Sequence, residues 1–565
     1  MNMMLGISLA ATNANSGGAA PTVIYYVDPA GSDAANGLSP ATAWQTLGKV
    51  NGATIPAGAS VLFKGGSTFT GQLTLTAGKH FGSSGLVTTF GSYGTGNAII
   101  EAGVNGDCGV YAINPQYVTI RDLDLRGTGT LVSTSSGVYF ENTLTGGVYL
   151  RGVSIIGNTV SGYGLDGISG WGNPADTSGS GFDGTTITDN IVHDCTGNAT
   201  AYRGCGITLQ SLTTFGLAAV QPTILNAYIA SNTVYNCIGK SKATIGSHSG
   251  NGILLGQSQD CLIEYNYVHH NGGTGGSLVA IWCYDSQRIT VQFNEAAFTT
   301  VEAGTSDGGG FDVDGGCKDC IFQYNYSHDN AGAGFQLYDY SGSASFGELP
   351  LQGNKIRYNI SENDGGANGA TSGKGCLFIG NDDATRDATG NAIHNNVFYS
   401  SLAGAVAVIF AGAAHNKVKS SYIANNVFYL TGASSKFIYT FNVTPDATML
   451  CIGNCYSSPA TSIKWGPTTY TTFANWRAAF PAQETVAGGA TFKAANPSLV
   501  GTVPVGTIGG FNPLLLGAYK TQAASVCKNG GQDLNALYGI NMGSRDLFGN
   551  TIPQGLYDIG CYETA

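Results

Sequence analysis

The sequence predicts an all-β solenoid, a parallel β-helix of stacked coils, and three observations carry the prediction. Nine segments place an asparagine in step, most of them are followed by a second short alternating strand, and charge is scarce while glycine is abundant, with 85 Gly in 565 residues. Asp, Glu, Lys and Arg make up only 10% of the chain, against roughly a quarter in an average globular domain. Length alone would suggest several domains, yet one elongated repeat array absorbs as many residues.

Residues 1–22 open with "MNMMLGISLAATNANSGGAAP", an apolar stretch followed by small residues, and the first basic residue is Lys49. A secretory signal begins with a charged region, so the segment reads as an N-terminal arm suited to docking on a larger assembly, or as a signal-like segment. The longest apolar run, "LAGAVAVIFAGAA" from Leu402, is shorter than the roughly 20 residues that span a bilayer, so no membrane insertion is expected. The net charge of −11 and the absence of a Lys/Arg cluster argue against nucleic acid, which needs a concentrated positive patch.

Residues 23–431 carry the repeat. "IIGNTVSG", "ITDNIVHD", "IASNTVYN", "IEYNYVHH", "VQFNEAAF", "FQYNYSHD", "IRYNISEN", "IHNNVFYS" and "IANNVFYL" each place an Asn fourth, at Asn158, Asn190, Asn232, Asn266, Asn294, Asn325, Asn359, Asn396 and Asn426. Subtraction gives steps of 28 to 42 residues, the loose period of a solenoid. Second strands follow, as in "GCGITLQ", "GNGILLG", "GGGFDVD", "GAGFQLYD" and "GKGCLFIG". Helical spacing is nowhere sustained, whereas alternation over three to five residues recurs at both places in each unit. Asn at a repeated corner would stack on its neighbours and bond the turn backbone. In residues 432–565 the Asn register fades and "TTFANWRAAF" reads as a short amphipathic helix. This part is expected to supply C-terminal coils and a cap over an edge that would otherwise recruit other chains.

The opening "YYVDPAGSDAANGLSPATAWQTL…GASVLFKGGSTFTGQL" and the ending "RDLFGNTIPQGLYDIGCYE", together with the repeat, resemble the right-handed parallel β-helix superfamily of pectate lyases, polygalacturonases and phage tailspikes. The resemblance covers nearly the whole chain and implies the fold strongly. It implies the reaction weakly, because this architecture hosts lyases, hydrolases, epimerases and non-catalytic adhesins. Similarity to tailspikes further implies an extracellular or virion (tail) location, a homotrimer and virion attachment through the N-terminal arm.

If Phe311 and Val313 of "GFDVDG" point inward, Asp312 and Asp314 point to solvent on one face. Equivalent outward positions on neighbouring coils are Thr208 and Gln210, Leu254 and Gly256, Trp282 and Tyr284, and Gln336 and Tyr338. Two acids then lie between aromatic positions, where rings stack on the apolar face of a sugar and carboxylates handle its hydroxyls or its glycosidic oxygen. A polysaccharide is the expected partner. A second column lies three residues past each Asn and contains His193, Tyr235, His269, Ala297, His328 and Glu362. A histidine there suits proton transfer. The candidate catalytic residues are Asp312, Asp314 and His328, and the candidate substrate-binding residues are Trp282, Tyr284, Asp307, Gln336, Tyr338 and His269.

Paired carboxyls suit glycosidic hydrolysis, one protonated as general acid and the other acting as base or nucleophile. Asp285 and Asp339 are nearby alternatives. "DGGGFDVDGG…SHDNAGAGFQL" also resembles a paired-coil pattern of calcium-dependent pectate lyases, but Asp314 stands where their basic residue would be and Gln336 where a calcium-binding Asp would be. Lys374, Arg288 and Arg203 remain as alternative bases for a polysaccharide lyase, and calcium is left open as a cofactor. The third class is a non-catalytic spike or adhesin that binds glycans. No metal site is assigned: "CKDC" (Cys317, Cys320) has the spacing of half a zinc site, but no second Cys or His pair lies nearby at ligand spacing. Thirteen cysteines, an odd number, cannot all pair within one chain.

Overall fold

The computed structural model describes residues 23–102, 106–128, 135–173, 178–197, 203–211, 221–240, 248–273, 278–302, 307–340, 349–365, 375–441 and 443–564. The N-terminal arm and Lys374 lie outside them. The chain winds into a right-handed parallel β-helix whose three long sheets have 14 strands each.

Each coil contributes three short strands where the sequence suggested two. One coil, for example, places Thr290–Gln292 in the first sheet, Glu295–Ala297 in the second and Asp307–Val313 in the third. The first predicted strand is bent at its asparagine, because the preceding residue takes a left-handed conformation: φ is 56° at Ser231 and Tyr265, 55° at Phe293 and 58° at Tyr324. Such a backbone costs roughly 1–2 kcal/mol in a non-glycine residue, and the asparagines offset it. Each side-chain amide donates to the next asparagine's oxygen, from Asn158 to Asn190 at 3.0 Å and onward to Asn426 and Asn454 at 3.1 Å. The same amide bonds the previous coil, as when Asn294 Nδ2 donates to the Ile263 carbonyl at 3.0 Å. Asn454 is a tenth member that the sequence did not reveal, and its Nδ2 donates to Glu484 Oε1 at 2.7 Å, ending the ladder.

Inside the coil, in-register apolar columns fill the core. Ile207, Ile253, Ile281, Phe311, Phe335 and Leu377 stack along the third sheet, with the rings of Phe311 and Phe335 5.0 Å apart. The N-terminal end is closed by helix Leu47–Gly52, whose Thr46 side chain caps the amide of Lys49 at 3.1 Å while Leu47 and Val50 are buried. At the other end the predicted helix forms over Phe473–Ala479. It sets Trp476 against Trp465 and Phe473 against Tyr456, with ring centroids 5.4 and 4.9 Å apart. The chain then doubles back along the second sheet, where Leu516, Tyr519 and Ile559 pack on Tyr326, Tyr358 and Tyr399. Among the described residues no helix is long and apolar enough to cross a membrane.

Candidate active site

The third sheet brings its outward column together in the register expected from sequence. Thr208, Leu254, Trp282, Asp312, Gln336 and Phe378 are successive partners on adjacent strands. Exposure differs from expectation, since Asp312 and Asp314 do not stand free in solvent but are only 5% and 9% exposed. Their neighbours are bulky: Trp282 precedes Asp312 in the column and Gln336 follows it, its Nε2 donating to Asp312 Oδ2 at 3.1 Å. Asp314 sits just past the strand end, where its own amide donates to the Cys283 carbonyl at 3.0 Å and its Oδ1 accepts from the amide of Gly315 at 2.8 Å.

Burial, reinforced by the charges of Asp307 and Asp339, pushes the Asp314 carboxyl up to about 8. Asp285 is pushed up to about 6, again by burial, while its bond with Gln257 pulls it down. Like charges and a low dielectric both disfavour the anion, so Asp314 keeps its proton at neutral pH. The charges of Asp307 and Asp339 are among those that raise it. The sequence reading missed Arg386, whose Nη2 lies 3.2 Å from Asp339 Oδ1 and whose Nε lies 3.5 Å from Asp383 Oδ2. The only signal was the acidic "NDDATRD" just after a third-sheet strand. Asp285, Asp307, Tyr338 and Arg386 are half-buried and reach solvent. The Tyr338 ring stacks on Phe378 at 5.3 Å and its hydroxyl donates to Asp382 at 2.5 Å.

Trp282 and Tyr284 are only 2% and 6% exposed. They pack with Leu254 and Val279 as a closed cluster instead of presenting open ring faces. Trp282 Nε1 donates to Asn251 at 2.9 Å. Gln210 bridges Tyr284 and Arg203: its amide nitrogen donates to the Tyr284 hydroxyl at 2.6 Å and its oxygen accepts from Arg203 at 2.7 and 2.8 Å. Arg203 also lies over the Trp171 ring, 5.2 Å from its centroid, and 3.8 Å from Asp166. Arg203, Gln210 and Trp171 thus lie several coils from Asp314, linked through Tyr284 to the coil next to it. Arg288 is exposed and its guanidinium is bound by Asp260 at 2.6 and 2.8 Å.

His328 and His269 lie on the second sheet, in the column the sequence gave them, and not beside the acids of the third. His328 is fully buried, with Nε2 3.0 Å from Glu295 and Nδ1 2.9 Å from Asp329. Burial opposes its charge, but these two carboxylates prevail and push it up to about 9. It is a structural cation with both nitrogens engaged, which removes it from proton transfer to a substrate. The His269 ring stacks between Tyr235 at 5.1 Å and Tyr267 at 4.1 Å, and burial followed by the neighbouring His270 pushes it down to about 4.

Calcium was left open by the sequence, but no three carboxylates converge to hold it among the described residues. The three Asp, Glu, His or Cys ligand atoms that do lie within 4.8 Å of one another belong to Cys283, Cys317 and Cys320.

No protein-family model and no curated protein matches the chain. Solved structures do. A GH136 lacto-N-biosidase from Eubacterium ramulus aligns over 67% of this chain with TM-score 0.47 and 19% identity, and the chain spans 64% of that protein's length. The pectate lyase Pel9A aligns over 96% of both chains with TM-score 0.40 and 12% identity. The A-module of the Azotobacter vinelandii mannuronan C-5 epimerase AlgE4 aligns over 72% of this chain and 91% of its own, with TM-score 0.44 and 14% identity. The fold is that of the right-handed parallel β-helix proteins. At such identities the likeness is one of fold alone, and the chemistry has to be read from the residues.

Proposed function

We propose that this protein binds and hydrolyses a polysaccharide, with Asp314 as general acid. The observation that carries the reading is the Asp314 carboxyl itself, pushed up to about 8 by burial and by Asp307 and Asp339, in a cluster where Asp285, Asp307 and Tyr338 are half-buried and reach solvent. A carboxyl that stays protonated at neutral pH can deliver its proton to a glycosidic oxygen as the bond breaks.

The second carboxylate must remain charged and reach the opposite face of the sugar. Asp307 fits best, because it is half-buried and its charge acts on Asp314. Asp339 faces Arg386 at 3.2 Å and lies in the same buried cluster. Asp312, held by Gln336, accepts a sugar hydroxyl, and the half-buried Tyr338 ring offers the apolar surface on which a pyranose stacks. Such an enzyme would work where polysaccharide is met, outside a cell or on a phage tail. The homotrimer is a separate expectation, and a monomeric mass by light scattering across dilution would remove it.

The test is a polysaccharide panel with the wild type and Asp314→Asn, recording new reducing ends and the ultraviolet absorbance of unsaturated uronates in the same samples. Reducing ends without absorbance, lost in the variant, are expected. Absorbance would establish a lyase instead, and glycan binding without cleavage of any substrate would make the protein an adhesin or spike.

A further inference from the structure

The cysteine pair of "CKDC" is completed by a residue one coil earlier. Cys283 ends a third-sheet strand with its side chain inward, and Cys317 and Cys320 stand in the turn that leads from the next third-sheet strand to the first sheet. All three are 0% exposed. Their sulfurs lie within 4.8 Å of one another, and those of Cys283 and Cys317 are 3.5 Å apart. We propose that Cys283, Cys317 and Cys320 bind one thiophilic d10 metal ion, zinc or cuprous copper, inside the solenoid.

Distances separate this reading from its two rivals. Metal–thiolate bonds near 2.3 Å set sulfurs roughly 3.8 Å apart around one ion, close to the 3.5 Å of Cys283 and Cys317. A disulfide needs about 2.05 Å, so that pair would have to close by more than an ångström. Cysteines that merely pack as small apolar groups carry no requirement for three sulfurs from two coils to meet at one point. Soft thiolates select soft cations and reject calcium and magnesium. Backbone carbonyls border the group: the Cys317 sulfur lies 3.3 Å from the carbonyl of Cys283 and the Cys320 sulfur 3.7 Å from that of Ser286. Binding is a proton exchange: each thiol that ligates releases its proton to water, and no sulfur changes oxidation state.

The same turn carries Asp314. Its carbonyl accepts from the amide of Cys317 at 3.3 Å, and its own amide is bonded to the carbonyl of Cys283. An ion on the three sulfurs therefore fixes the backbone from which the acid cluster projects. The inference does not depend on the reaction proposed above.

Full-length protein without an affinity tag, produced in medium supplemented with zinc or copper, is to be assayed by native mass spectrometry and elemental analysis. About one equivalent of metal per chain is expected, with a near-complete loss in Cys320→Ser. Cobalt incorporated in place of zinc should give a sulfur-to-metal charge-transfer band that Cys317→Ala removes. Should these variants fail to fold, the metal content of the wild type decides alone. A metal-free wild type in which peptide mapping after unfolding and alkylation finds Cys283, Cys317 and Cys320 all reduced would overturn the proposal, and so would a peptide map that joins two of the three by a disulfide.

Discussion

Two outward columns of the same solenoid, built by the same register rule, have become opposite kinds of site. On the third sheet, Asp314 is packed among other acids and holds its proton because its anion is disfavoured. On the second sheet, His328 is packed among acids and also holds its proton, but because Glu295 and Asp329 favour the cation. What separates them is the returning C-terminal segment. It lays backbone amides on the second-sheet acids, with Val505 and Gly506 donating to Glu362 at 2.6 and 2.8 Å and Ile508 donating to Glu295 at 2.9 Å. The oxygens of those acids are thereby hydrogen-bonded and sealed from solvent. Charge alone is therefore a poor guide to a candidate site in this fold; charge left in mutual conflict is a better one.

The largest effect that would break this contrast is on activity. Asp314→Asn is expected to lower the rate of reducing-end release by about 10²–10⁴-fold, while His328→Gln leaves the rate of correctly folded protein unchanged. The two variants should be compared at equal folded concentration. If both lost activity alike, or if only His328→Gln did, the assignment of chemistry to the third sheet would be wrong.

Stability should show the reverse order. Glu295 accepts from His328 and from the amides of Ile508 and Gly510, so Glu295→Ala removes one of the two carboxylates on a buried cation and leaves two amides unpaired. A loss of about 3–5 kcal/mol is expected from breaking such a group, read as a lower denaturation midpoint and earlier proteolysis between residues 497 and 564. Asp314→Asn should instead stabilise near pH 7, on the order of 2 kcal/mol, because it removes a carboxyl whose ionisation the fold opposes. A destabilised Asp314→Asn would mean that the carboxylate is paired rather than in conflict.

The pH windows sharpen the same contrast. The folded-state pKa of Asp314 is about 8 against an ordinary 3.8, so the fold binds this proton more tightly than the unfolded chain does. Stability attributable to Asp314 therefore falls as pH rises from about 4 to 8. The pKa of His328 is about 9 against 6.5, so its contribution is complete below pH 6.5 and lost as pH rises through 9. Urea midpoints across this range should decline on the alkaline side. Asp314→Asn should flatten the lower part of the decline and His328→Gln the upper part. Activity should fall about tenfold per unit above pH 8 as the general acid ionises.

Much of this was legible in the sequence, and what was not has a common cause. The nine asparagines disclosed the ladder because one side chain must recur at one corner for its amide to find the next. The third-sheet register was legible because alternation has a strict period of two. The third strand of each coil was hidden, since three residues on either side of a left-handed corner look like one strand when only side-chain types are read. Arg386, Glu484 and the covering of Glu295 by Ile508 were hidden for another reason. They are contacts between segments far apart in the chain, and no local pattern constrains which loop comes to rest on which face. The burial of Trp282 and Tyr284 belongs with these, because the column revealed their direction but not what packs against them.

The smallest expected effect concerns Arg288, the one candidate base of the sequence reading that the structure places in open solvent. Its guanidinium grips both oxygens of Asp260, with side-chain exposures of 47% and 40%. A bidentate geometry of this kind would matter in a dry interior. At the surface, solvent screens the attraction and ordering two long side chains offsets most of the remainder. Arg288→Ala is therefore expected to shift stability by less than about 1 kcal/mol and to leave cleavage unchanged. Were it to abolish cleavage and leave the fold intact, the base of a lyase would lie on this exposed edge, and the proton held by Asp314 would be structural, like that of His328.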